Sequence, residues 1–243
     1  MAEHGAITGI GSMGTRLLMA DLARAFERES GRAIAMLSTG GTAVARRIRA
    51  GESFDFAVLA SAVIDTLIAQ GHLVPARFDI ARAEMVAAVR TGSPHLDIGS
   101  EASLREAILR AERIGYSSGP SGDHLLRVLT GWGLIGRVSP RLVLAPPGVA
   151  VAQLLAERKV DLGFQQRSEF LRQPGIEVVA SLPAPVQLNT VFSAALCSAS
   201  SQPNAARDFL AFALSPEADA FRRGCGLAPA DSRKAAGEPP ASA

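Results

Sequence analysis

Gly115-Tyr116-Ser117-Ser118-Gly119-Pro120-Ser121-Gly122 is the stretch on which the fold turns. Ile114 and Tyr116 read as the end of a buried strand, Ser118 or Gly119 can cap a helix, and Pro120 suits a first helical position, where no N–H is needed. From Gly122 to Thr130, Leu125, Leu126 and Leu129 recur at helical spacing. The stretch is therefore a strand, a tight hydroxyl-rich loop and a helix whose unpaired N–H groups point back at the loop. Those amides, the positive end of the helix dipole and the hydroxyls of Ser117, Ser118 and Ser121 favour an anion at one spot. The stretch reads as half of an anion-binding cleft.

The same unit recurs upstream. A strand from Ala6 to Ile10 leads through Gly11-Ser12-Met13-Gly14 into a helix that runs to Ser30 and ends at Gly31. A strand from Ala33 to Leu37 leads through Ser38-Thr39-Gly40-Gly41-Thr42 into a helix over Ala43–Ala50, with Arg46 and Arg47 in its first turns. The strand Asp55–Ala60 leads through Ser61 into a helix over Ala62–Gln70. Three such units predict a parallel sheet with helices on its faces and a ligand beyond the carboxyl ends of its strands.

Downstream of Pro75 a strand is predicted over Glu84–Arg90, a helix over Ser100–Ala111 and a strand over Arg113–Tyr116. After the opening loop and its helix come a strand over Arg141–Ala145, stopped by Pro146-Pro147-Gly148, and a helix over Val149–Glu157. The strand Val160–Phe164 then ends in Gln165-Gln166-Arg167-Ser168-Glu169, another polar loop at a helix start. A long strand over Val186–Cys197 and helices over Ala205–Leu214 and Glu217–Arg223 close the pattern. The fold class is α/β with two lobes, each a mainly parallel sheet flanked by helices. Residues 1–83 with 188–230 form one lobe and 84–187 the other, joined by a two-stranded hinge. Residues 231–243, without apolar periodicity, read as a disordered tail.

Composition narrows the function. A chain of 243 residues, 48% hydrophobic, can bury a sizeable core. Twenty-five basic against 23 acidic residues leave a net charge of +2, with the basic ones scattered, so no nucleic-acid partner is expected. Cys197 and Cys225 lack metal-ligand spacing and read as buried free thiols, and His4, His72 and His95 form no cluster, so neither metal nor cofactor is expected. Gly9-Ile10-Gly11-Ser12-Met13-Gly14 matches the dinucleotide-binding glycine pattern, but the next strand ends in hydroxyls rather than the acidic residue that would hold a ribose. No apolar run is long enough for a membrane span. Met1-Ala2-Glu3-His4-Gly5 has no leader signature, which predicts a cytoplasmic protein, or a periplasmic one if a leader has been removed, and a monomer is expected.

Taken in order, Gly11-Ser12-Met13, Ser38-Thr39-Gly40-Gly41-Thr42, Ser61, Ser117 to Gly122 and Asp161-Leu162-Gly163-Phe164 resemble the type II periplasmic solute-binding fold, and within it the molybdate-binding protein family. The resemblance spans about residues 5 to 228. It implies that Ser12, Thr42 and Ser121 surround a bound tetrahedral oxyanion. Where that family places a tyrosine after the Leu-Gly strand, this chain has Gln166. A second branch that the chain resembles is that of the aconitate isomerases, which implies proton transfer across the allylic system of a tricarboxylate.

An isomerase of that kind needs donors for carboxylates, stabilisation of a dienolate-like charge and a group that removes and returns a proton. The ligand-binding candidates are Ser12, Met13, Thr39, Gly40, Gly41, Thr42, Ser61, Ser118, Pro120, Ser121, Gly122, Gln165 and Gln166. His124 is the first candidate for the proton and Glu169 the second, with Asp123 behind them. Arg46, Arg47 and Arg167 lie near the loops and are candidates for gripping carboxylates, while Asp55 and Asp161 read as structural. The expected function is binding of a small anionic metabolite, a di- or tricarboxylate, with isomerisation of its double bond. The alternative is a non-catalytic receptor for molybdate or another oxyanion, which, if exported, would have a permease partner.

Overall fold

The structure, a computed structural model, describes residues 5–230. The predicted tail at 231–243 and His4 lie outside the described residues. Strand β1 (Ile7–Ser12) runs through a short 3-10 turn, Met13–Thr15, into helix α1 (Arg16–Ser30), which Gly31 ends in the left-handed region at φ 69°. Strands β2 (Ile34–Thr39) and β3 (Phe56–Ala60) alternate with helices α2 (Gly41–Arg49) and α3 (Ser61–Ala69). Strand β1 pairs in parallel with both β2 and β3.

Strand β4 (Phe78–Arg90) is longer than the predicted Glu84–Arg90. Asp79, Arg82 and Glu84 interrupt the apolar pattern of its first half, which pairs with a distant strand. There follow α4 (Glu101–Arg110), β5 (Ile114–Tyr116), α5 (Pro120–Gly131), α6 (Ile135–Val138), β6 (Leu142–Leu144), α7 (Val151–Ala156) and β7 (Leu162–Gln166). The chain ends its described part with α8 (Arg167–Phe170), β8 (Ile176–Ser181), β9 (Asn189–Leu196), α9 (Pro203–Leu214) and α10 (Ala218–Gly224). The pattern of the sequence had not marked α6 or β8.

The strands form one curled, mixed sheet in the order β2-β1-β3-β9-β4-β7-β5-β6, with β8 also on β4. Strand β5 is parallel to β6 and β7, whereas β3–β9, β4–β9, β4–β7 and β4–β8 are antiparallel. Strand β4 joins the two halves: Phe78–Glu84 pairs with β9, Met85–Ala88 with β7 and Val86–Arg90 with β8. The chain returns beside it before β9, where the Met85 N–H donates to the Leu188 carbonyl at 2.9 Å. Two adjacent crossings leave the halves facing each other across a cleft.

Each half has apolar packing on both faces of its sheet. In the first half, Leu18, Leu22, Phe56, Phe209 and Leu210 fill one side, and Val44, Ile48, Leu59, Ile64 and Leu67 the other. In the second, Leu104, Ile108, Leu125, Leu129 and Phe164 oppose Val151, Leu154, Leu155 and Phe170. Of the three leucines read in the sequence as a helical face, Leu125 and Leu129 are buried and each contributes about 1.5–3 kcal/mol to holding α5 on its sheet, while Leu126 is half-buried.

Two aspartates fasten connections. Asp55 accepts the Thr8 N–H and hydroxyl at 2.8 and 2.9 Å, the Ser200 hydroxyl at 2.8 Å and the Gln202 N–H at 3.0 Å, so it ties β1 to the start of α9. These bonds hold its carboxyl below the usual carboxylate value against the opposing pull of burial. Asp161 accepts the N–H groups of Glu112 and Arg113. Both therefore have the structural work expected of them, and Cys197 and Cys225 are free and buried.

Candidate functional site

Between the halves lies a cavity of about 310 Å³. It is built where strands end and helices begin. Ser12 ends β1, Gly40, Gly41 and Thr42 surround the start of α2, and Ser117 to Ser121 lead into α5. Pro146, Pro147, Gly148 and Val149 precede α7 and close another side, and Gln165, Gln166 and Glu169 stand at the end of β7 and on α8.

The local sequence explains why these helix starts remain available. Helices α2 and α5 begin after Gly40 and Gly119, with no side-chain cap. Among the described α-helices only α4, outside the cavity, has a side-chain cap, a capping box in which Ser100 accepts the Ser103 N–H at 3.1 Å and Ser103 accepts the Ser100 N–H at 3.0 Å. Gly119 takes φ 113°, a backbone that side chains disfavour. A Cβ on Gly122 would stand 1.8 Å from the Ser117 carbonyl oxygen, so only glycine lets α5 start this close to its loop.

Ser12 is buried, and its hydroxyl has no hydrogen-bond partner although it lines the cavity. Such an orphan costs about 1–3 kcal/mol, which a ligand acceptor would recover. Ser121 is 2% exposed, with its hydroxyl 3.5 Å from that of Ser117.

The two glutamines hold the far wall. The Gln165 Oε1 accepts the Val151 N–H at 2.9 Å, and its Nε2 donates to the Glu169 carboxylate. Gln166 donates from Nε2 to the Thr190 hydroxyl at 3.0 Å. Ser168 donates to the Gly14 carbonyl at 2.7 Å, which joins α8 to the turn after β1.

Glu169 is half-buried. Burial pushes its carboxyl up to about 8, opposed by the positive charge of Arg16 and a backbone hydrogen bond from Gln166. It is therefore mainly protonated at neutral pH. The other charged residues of the cavity wall are Arg49 and Asp123, both exposed overall.

Most of the residues singled out in the sequence meet here. Ser12, Met13, Gly40, Gly41, Thr42, Ser118, Pro120, Ser121, Gln165, Gln166 and Glu169 line the cavity, as does Asp123. Thr39 pairs with Ser12 across β1 and β2, Ser61 starts α3 beside the lining residue Ala60, and Gly122 underlies the α5 start. None of these three is in the wall.

His124 is not in the wall either, because its Nε2 donates to the Val186 carbonyl at 2.8 Å. Arg47 engages Glu52 and lies over the Phe54 ring, while Arg46 is exposed and outside the wall. Arg167 turns to Glu84 at 3.2 Å and Ser181 at 3.0 Å. The guanidinium that reaches the cavity belongs to Arg49, one turn further along α2, where it donates to the Gln70 side chain at 2.9 Å. Sequence reading also missed the wall of Pro146 to Val149. Its signal was its place, after a strand and before a helix, as in the other cleft loops.

Arg167 instead lines a second cavity of about 400 Å³, beside the crossing strands, with Arg82, Glu84, Asn189, Arg223 and Gly226 to Ala228. Among the described residues no group of three or more His, Cys, Asp or Glu side chains is placed to hold a metal ion. No helix among them is long and apolar enough to cross a membrane.

Comparison with known proteins agrees with this architecture. Over 225 residues the chain is 30% identical to a protein named aconitate isomerase from a Pseudomonas species, covering 90% of this chain and 85% of the relative. The fold resembles that of the periplasmic molybdate-binding protein of Azotobacter vinelandii, with a TM-score of 0.78 at 19% identity over 91% of this chain and 98% of that one. It also resembles PEB3 of Campylobacter jejuni, solved with L-phospholactate bound, with a TM-score of 0.73 at 15% identity over 92% and 100% of the two chains. The family model described as bacterial extracellular solute-binding protein matches residues 7–227. A two-lobed α/β chain matched by that model over nearly all its described length belongs to the bacterial extracellular solute-binding protein family.

Proposed function

We propose that the cleft binds a small unsaturated di- or tricarboxylate and moves its double bond by allylic proton transfer, with Glu169 taking and returning the proton. The observation that carries this reading is a carboxyl in the cleft wall that burial keeps mainly protonated at neutral pH, beside the unpaired Ser12 hydroxyl and the open starts of α2 and α5. The aconitate isomerase relative makes aconitate the substrate to test first. Leu59, Val63, Pro146 and Phe192 in the wall favour a ligand with a carbon skeleton, and the cavity volume lies at the small end of organic-ligand sites.

The step balances within the substrate. Ionised Glu169 takes a proton from the CH2 beside the double bond, and the C–H electron pair spreads over the allylic system and its carboxylate. Glu169, whose acid proton exchanges with solvent, then gives a proton to the far alkene carbon, so the double bond moves by one position with no net gain or loss of protons or electrons. The hydroxyls and helix amides stabilise the negative charge while it is delocalised. A carboxyl that must both accept and donate works best with a pKa near the working pH. In this reading the segments up to residue 83 and from 188 close on 84–187 about β4 and β9.

The test is to incubate the protein with cis- and trans-aconitate in deuterated water and follow proton NMR. Deuterium at the allylic carbon together with the transposed isomer supports the reading. Binding with neither exchange nor transposition in either isomer leaves only a receptor.

The second reading is a non-catalytic receptor for molybdate or a similar oxyanion, exported and served by a permease. What favours it is that the donors in the wall are mainly uncharged, on a fold shared with a molybdate-binding protein. Stabilisation by micromolar molybdate or tungstate, with none by carboxylates, would select it.

A further inference from the structure

We propose that Gln165 is the positioning residue for Glu169, placing the acid proton on Oε1 and tying the acid to the α7 side of the cleft. The inference rests on the reading of Glu169 as proton carrier. Gln165 is almost fully buried on β7, and both ends of its amide are engaged. The Val151 N–H at 2.9 Å is only a donor, so the amide oxygen must face it, and the amide nitrogen is left for Oε2 of Glu169. A carboxyl oxygen that already accepts an N–H is a poor seat for a proton, because two hydrogens would then face one another. The proton therefore sits on Oε1.

The backbone was shaped for this arrangement. Gly115 and Gly163 are register partners on β5 and β7, and a Cβ on either would stand 2.9 or 2.7 Å from a Val151 methyl. Glycine at both places lets α7 settle on the sheet, close enough for its first N–H to meet Gln165. The segment that forms the Pro146 to Val149 wall leads directly into that N–H. The charged groups on the elements around Glu169 are few. Arg16 on α1 lowers its pKa, Arg49 of α2 and Asp123 of α5 share the cavity, and Arg167 on its own helix is held by Glu84.

The test uses protein labelled with 13C at the glutamate side-chain carboxyl, with the Glu169 resonance identified by its loss in Glu169→Gln. Two variants remove the donor to Glu169. Gln165→Met removes both bonds, whereas Gln165→Glu keeps an acceptor for Val151 and so controls for misfolding. Losing an N–H that favours the charged form should raise the Glu169 midpoint by about one unit in Gln165→Met, and by more in Gln165→Glu, where a second carboxylate opposes ionisation. With aconitate, kcat at pH 7 should fall about tenfold in both, with KM within about twofold, and the rising limb of the pH profile should move up with the midpoint. An unmoved midpoint and unmoved kcat in both variants overturn the positioning role, while an inactive Glu169→Gln would leave the Glu169 reading standing. Full exchange in Glu169→Gln overturns that reading and this proposal with it.

Discussion

Beside the strands that join the two halves, Arg82, Arg167, Arg223 and Glu84 line one cavity, whereas the cleft wall sets Arg49, Asp123 and Glu169 among hydroxyls, glycines and prolines. In the former the charges serve the scaffold. Arg167 spends its donors on Glu84 and Ser181, fastening α8 to β4 and β8. In the latter the donors remain open: Ser12 has no partner, and the helices begin without side-chain caps. An anion can be held by such neutral groups without burying a cation, whose desolvation would offset much of the gain. Proximity of an arginine to a loop was therefore a poor guide to the cavity wall, and hydroxyls and glycines at strand ends were a better one.

The comparison can be broken most directly at Glu169. Glu169→Gln should lower allylic exchange on aconitate by about 10²–10⁴-fold while ligand still binds, and Arg223→Ala in the other cavity should leave exchange within about twofold. Single-turnover NMR on the two variants decides it, and equal losses would erase the distinction.

Ser12→Ala tests the open donors. Affinity should weaken about tenfold by calorimetry, close to the worth of one hydrogen bond to a charged acceptor, with the stability of the free protein unchanged or slightly higher.

pH sharpens the contrast further. With Glu169 at about 8, exchange needs the ionised form and should rise roughly fivefold from pH 7 to pH 8, then level off. Binding of anions should show the reverse sense, strongest where Glu169 is neutral. Stability has a defined sign as well. The folded state holds this proton more tightly than the unfolded chain, so the stabilising contribution is complete below the ordinary glutamate value of 4.5 and is lost as pH rises to about 8. Urea titrations across that window should show the slope in the wild type and a shallower one in Glu169→Gln.

The smallest effect belongs to the scaffold pair. Glu84→Gln weakens a partly exposed ion pair and should cost about 0.5–1 kcal/mol in denaturant unfolding, with no change in ligand affinity.

Much of the site was legible because its signals are local. A hydroxyl or glycine at a strand end, followed by an apolar helical face, marked the loops at Ser12, Gly40 to Thr42, Ser118 to Ser121 and Gln165–Gln166, all of which meet in the cleft. The first half of β4 was hidden because its support comes from β9, more than a hundred residues away, and not from its own alternation. His124 and Glu169 posed a different problem. Both lie near helix starts, and each residue turns a helix by about 100°. Which of the two faces the cleft depends on how each helix is seated on its sheet.

The sequence by itself determined the repeated strand–loop–helix units and the Gly119–Pro120 helix start, because periodicity and backbone freedom belong to neighbouring residues. Only the tertiary structure decided that Glu169 enters the cleft while His124 is tied to Val186, that Arg49 replaces Arg46 and Arg47 at the wall, and that Gln165 spans Val151 and Glu169. Those outcomes follow from how α5, α7 and α8 seat on the curled sheet, which is set by contacts between residues far apart in the chain.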